Sequence, residues 1–87
     1  MNQSFEILLK GSLDKVNYAI WLHENGQTGP LSVHVLAQVR RELEEMIKVM
    51  NPKNYTPTYP RYILDWPDED GLIKELIDVV YLYQKIR

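Results

Sequence analysis

The chain has 87 residues, no cysteine, and a net charge of −2 from 10 basic and 12 acidic side chains. That is room for one domain and not two. It excludes disulfides, thiolate zinc sites and cysteine nucleophiles, and the balance of charge offers no basic stripe for a nucleic-acid backbone.

Hydrophobic residues make up 45% of the chain, enough for it to fold, although a domain this small leaves much of its surface in water. No apolar run approaches the ~18 residues of a membrane span. The opening Met1-Asn2-Gln3-Ser4-Phe5-Glu6 has neither the basic start nor the continuous apolar run of a signal peptide. The expectation is a small soluble cytoplasmic domain with no membrane and no nucleic-acid partner.

Three stretches carry helical period. The first spans 4–25. Ser4 is placed to cap it, and Phe5, Leu9, Leu13, Val16 and Ile20 recur every three to four positions on one face. Leu8 and Ala19 flank that face. Asn25-Gly26 is a stop signal, because glycine accepts the left-handed conformation at a helix end. Gly11 weakens the helix by about 1 kcal/mol relative to alanine. A second apolar stripe, Ile7, Tyr18 and Leu22, runs along the opposite side, bordered by Trp21 with Gly11 between. Two stripes imply two things to pack against. Either the 51–66 segment covers the second stripe, which the liability of an exposed patch favours, or a subunit or partner does.

The second helix spans 30–50, with Pro30 in its first turn. Val35, Leu36, Val39, Leu43, Met46, Ile47 and Met50 form its inner side, and Pro52 prevents continuation. The outer side carries His34, Gln38, Arg41, Glu45 and Lys48, with Arg41/Glu45 and Glu44/Lys48 spaced for weak ion pairs. A helix-turn-helix reading fails here, since Glu42, Glu44 and Glu45 dilute Arg40 and Arg41 and would repel phosphate.

Residues 51–67 hold Pro52, Pro57, Pro60 and Pro67 together with Tyr55, Tyr59, Tyr62 and Trp66. Prolines this dense exclude a long helix and interior strands. So many rings predict an ordered segment wrapped against the bundle, with one helical turn around Tyr62 to Asp65 and an Arg61/Asp65 pair four residues apart. Tyr59-Pro60 is a candidate cis bond.

The third helix spans 68–86. Asp68, Glu69 and Asp70 sit at its start and Lys85 and Arg87 at its end, as the helix dipole favours. Leu72, Ile73, Leu76, Val80, Tyr83 and Ile86 make its inner face, and Ile77, Tyr81 and Leu82 extend apolar character around the cylinder. The fold expected is all-α: a small antiparallel three-helix bundle with a long Pro/Tyr-rich loop between helices 2 and 3.

Motifs that carry chemistry are absent from the sequence. Asp68-Glu69-Asp70-Gly71 resembles the middle of a calcium loop, but the ends then fall on Trp66 and Ile77, which supply no ligand oxygen. His23 and His34 lie on different helices without metal-ligand spacing. The serines lack a neighbouring base, and the glycines are scattered. No cofactor and no metal are expected. The best reading is a non-enzymatic interaction protein, a small regulatory factor or an antidote that occludes another protein, either monomer or homodimer. Tyr18, Trp21, Tyr59, Arg61, Tyr62 and Trp66 are its expected contact residues, because tyrosine, tryptophan and arginine concentrate at binding hot spots. The alternative is a small ligand-binding module or enzyme using carboxylates such as Asp65 beneath the 51–66 segment.

Overall fold

A computed structural model describes residues 2–29, 31–67 and 71–86. The described chain is all-α, with helices α1 (Asn2–Glu24), α2 (Val33–Val49), α3 (Pro60–Ile63) and α4 (Leu72–Tyr83). Helix α1 packs antiparallel to both α2 and α4, and α3 leans on α4. The bundle measures 41 × 22 × 19 Å. No helix among the described residues is long and apolar enough to cross a membrane.

Helix α1 begins before Ser4, which lies inside it rather than capping it. Its inner face is as the periodicity predicts. Leu9, Val16, Ala19 and Ile20 are buried, with Phe5 and Leu13 packed against them. The helix ends at the expected glycine: Gly26 has φ +75, and the N–H of Gln27 bonds back to the carbonyl of Leu22 at 2.9 Å. Gly29 then passes close over α1. A Cβ there would lie 3.3 Å from the Ala19 carbonyl oxygen, so only glycine fits without displacement.

Helix α2 starts at Val33, three residues after Pro30, which itself lies outside the described residues. The cap is Ser32, whose Oγ accepts the N–H of Val35 at 3.2 Å. Just before it, Leu31 takes φ +61 while its side chain is buried, so core packing holds a backbone conformation that leucine avoids. Leu36, Val39, Leu43 and Met46 fill the core from this helix. The ion pairs expected at Arg41/Glu45 and Glu44/Lys48 do not form. Arg41 donates to Gln38 instead, and the i,i+4 pairs that do form are Glu6–Lys10 on α1 and Lys74–Asp78 on α4.

Helix α4 begins at Leu72, with Gly71 at φ +82 before it. The acids expected to start this helix, Asp68, Glu69 and Asp70, lie outside the described residues, as does Arg87. Lys85 sits 4.2 Å over the ring of Tyr81. Leu72, Ile73, Leu76, Val79, Val80 and Tyr83 are buried. Fully buried Ser12 donates from Oγ to Glu75 at 3.0 Å, and Lys15 reaches the same carboxylate at 2.5 Å, so the middle of α1 is clamped to the first turn of α4.

The Pro/Tyr segment is ordered, as its composition predicts, and joins α2 to α4. One carboxylate fixes it. Glu42, 2% exposed, accepts the backbone N–H groups of Thr58 and Tyr59 and the Thr58 hydroxyl, while Gln38 donates to it from α2 itself. From that anchor the Tyr59 ring enters the core, and its hydroxyl donates to the Leu76 carbonyl of α4 at 2.7 Å. Tyr83 answers from α4, its hydroxyl 2.9 Å from the carbonyls of both Asn51 and Tyr55. No cis peptide occurs among the described residues, so Tyr59-Pro60 is trans. The predicted helical turn is present as α3, two residues earlier than expected. No buried side-chain polar atom among the described residues lacks a partner.

Candidate interaction surface

The six residues singled out from the sequence divide into two groups. Tyr59 is fully buried and belongs to the core. A ring with no exposed surface touches no partner while the segment stays in place, so Tyr59 leaves the contact set. Its three-residue neighbour Tyr62 stands out on α3, 52% exposed, and lines a shallow hollow against His34, Val35 and Gln38 of α2. Arg61 is exposed and makes no ion pair with Asp65 among the described residues. Trp66 is partly exposed beyond α3.

Tyr18 and Trp21 lie together on α1. Three residues apart, they share one side of the helix, and their rings stack at 5.9 Å with 14° between planes. Tyr18 is 60% exposed, Trp21 49%, and Ile7, about four helical turns before Trp21, 67%. The expectation that the 51–66 segment would cover this stripe fails. That segment is drawn to the far side of the molecule by Glu42, between α2 and α4, and leaves the outer face of α1 bare. Leu22 alone is half-buried, because it turns toward α4.

There a cavity of about 370 Å³ opens between α1 and the start of α4. Tyr18, Leu22 and Leu72 wall it, and the Lys15–Glu75 pair closes one side. This is the size of a hollow that takes a large side chain or a small ligand. Helix directions put Tyr18, Trp21, Tyr62 and Trp66 in the same half of the bundle, where the end of α1 meets the starts of α2 and α4. Leu64, 65% exposed beside Tyr62, belongs with them and was missed from sequence. No local signal separated it from Ile63, since adjacent residues are both buried elsewhere in this fold, as at Leu72-Ile73 and Val79-Val80.

The space beneath the Pro/Tyr segment is filled by Tyr59, Ile63 and Tyr83, all fully buried, while Asp65 points to solvent. Burial pushes the Tyr59 hydroxyl well above the ordinary tyrosine range, and the negative charge of Glu42 adds to it. Tyr55 and Tyr83 are raised as well, mainly by burial. These hydroxyls therefore hold their protons, and those of Tyr59 and Tyr83 serve as hydrogen-bond donors. Among the described residues no three His, Asp or Glu side chains converge as a metal site would require.

Comparison with protein-family models, curated proteins and solved structures finds no match to this chain.

Proposed function

We propose that this protein works by binding another protein, without chemistry of its own, through the outer face of α1 and the exposed rings around α3. The observation that carries this reading is the Tyr18–Trp21 stack. Two large rings, each about half-exposed, stack together on a helix whose opposite face already supplies the core, with bare Ile7 about three turns before them on the same side. A helix needs one apolar face to fold and here has two. Contiguous apolar surface on a small domain marks a place where something binds. Tyrosine and tryptophan are also the residues that concentrate binding energy.

Tyr62, Leu64, Trp66 and Arg61 form a second exposed cluster, on the Pro/Tyr segment beside α2 and across the bundle from the outer face of α1. The hollow between α1 and α4 is suited to receive an anchoring side chain from the partner. A regulatory factor or an antidote that covers its target fits a small domain with this much exposed aromatic surface. A chain without cysteine suits the reducing cytoplasm, the compartment we assign.

The test is affinity capture from the native cell with wild type and the Tyr18→Ser/Trp21→Ser variant, alongside melting curves. The reading predicts a specific protein retained by wild type and lost by the variant, with melting nearly unchanged. Equal retention by both, or nothing retained by either, removes it.

A further inference from the structure

We propose that a second copy of this chain docks on the outer face of α1, with its own α1 antiparallel across the same face. This rests on the reading of that face as an interaction surface. Three observations point to self-association.

The spacing comes first. Ser4, Ile7, Gly11, Asp14, Tyr18 and Trp21 follow one another at alternating steps of three and four, on the side of α1 away from the core. The row carries three large exposed apolar residues, Ile7, Tyr18 and Trp21, interleaved with the small or polar Ser4, Gly11 and Asp14, on the positions that face a helix packed alongside. The core face of α1 uses the other side, so the row has no role within one chain.

Size is the second observation. A two-fold axis passing between Ser12 and Leu13 sets Ile7 against Tyr18 of the second copy, Trp21 against Ser4, and Asp14 against Gly11. In each pair a larger group meets a smaller one. Gly11 costs its helix about 1 kcal/mol relative to alanine. Nothing in the chain accounts for that cost, because a Cβ built there meets nothing within 4 Å. A second backbone approaching at this point gives the glycine a use.

Charge is the third. In an antiparallel pair each flank of one helix lies along the same flank of the other. Lys10 and Asp14 share a flank, and in this register Lys10 of each copy lies beside Asp14 of the other. Two opposite-charge pairs result. Within one chain Asp14 makes no ion pair among the described residues, and Lys10 holds only an exposed contact with Glu6 at 2.9 Å. A register shifted to bring Asp14 against its own copy is repelled. The 23-residue helix runs about 34 Å, long enough for the whole row to meet its copy.

Sedimentation of the full chain from micromolar to millimolar concentration tests this, with three variants beside wild type. Gly11→Gln fills the room that Asp14 of the second copy needs, while the single chain keeps or gains stability. Asp14→Lys sets lysine against lysine, and Lys10→Glu/Asp14→Lys restores opposite charges. The inference expects two-chain species for wild type, association weakened by about tenfold or more in each single variant, and recovery in the double variant. A single-chain mass throughout overturns it. So does a dimer indifferent to these changes, which would use another face. Neither result touches the capture of a different protein by Tyr18 and Trp21, so the two readings fail separately.

Discussion

Glu42 holds Tyr59: its buried carboxylate accepts the Tyr59 backbone N–H at 2.9 Å, across 17 positions of sequence. The consequence reaches α4, because the ring so positioned donates to the Leu76 carbonyl at 2.7 Å. A segment rich in proline, with few ladder hydrogen bonds of its own, thereby packs between two helices as tightly as a third would. With the Pro/Tyr segment committed there, nothing in the chain is left to cover the outer face of α1.

Removing that carboxylate should therefore cost more than a surface glutamate would. Glu42→Ala leaves two backbone N–H groups and a hydroxyl without their acceptor, and hydrogen bonds to a charged group are worth ~1.5–3 kcal/mol each in favourable cases. We predict a loss of about 3 kcal/mol or more in urea unfolding. Glu42→Gln keeps one acceptor oxygen and should lose about 1–2 kcal/mol. A neutral result for Glu42→Ala contradicts the anchoring role.

The buried tyrosines predict an alkaline limit. Tyr59, Tyr55 and Tyr83 hold their protons more tightly folded than unfolded. Their neutral hydroxyls contribute fully below the unfolded value of about 10. Above it the unfolded chain ionises while the folded chain keeps the Tyr59 proton, so stability falls as pH rises, by about 1.4 kcal/mol per pH unit for Tyr59 and in the same direction for Tyr55 and Tyr83. Tyr59→Phe should lower stability at neutral pH by about 1 kcal/mol, the worth of its bond to Leu76, and make the alkaline decline shallower. Urea unfolding from pH 8 to 12 for both proteins checks the slope.

Glycines on α1 and beyond it should respond in opposite directions. Gly11→Ala adds a methyl group that meets nothing and should raise the melting temperature, worth ~0.5–1 kcal/mol of helix propensity. Gly26→Ala places a side chain at φ +75 and should cost about 1 kcal/mol. Thermal unfolding of the two variants, at concentrations where the chain is monomeric, shows whether the signs differ.

On α3 the contrast falls between adjacent residues. Tyr62→Ser and Leu64→Ser should each stay within about 0.5 kcal/mol of wild type, as exposed positions do. Ile63→Ala should cost ~2–5 kcal/mol, as a fully buried side chain does. Equal losses at all three would place Tyr62 and Leu64 in the core.

The helices were legible because their period is local. Most of the inner faces of α1, α2 and α4 follow from spacing, which missed buried Ser12, Glu42 and Val79, and Gly26 marks the end of α1 in the sequence as in the fold. The start of α2 was misplaced because Pro30 drew attention from Ser32, whose hydroxyl does the capping. The order of the Pro/Tyr segment was legible from its rings. Which ring turns inward was not, since Tyr59 and Tyr62 are chemically alike and Glu42 on a distant helix decides between them. Glu42 carried a signal that charge obscured: it lies three residues after Val39 and four before Met46, on the buried side of α2. The bare stripe on α1 was visible in the sequence. Whether anything covered it depended on where Glu42 took the loop.

The most direct measurement of the two-faced α1 is the unfolding free energy of the Tyr18→Ser/Trp21→Ser variant in urea, at protein concentrations below micromolar. If these rings serve a partner and not the core, the variant should unfold within about 1 kcal/mol of wild type. A loss of about 3 kcal/mol or more, the signature of an emptied core, would contradict the account.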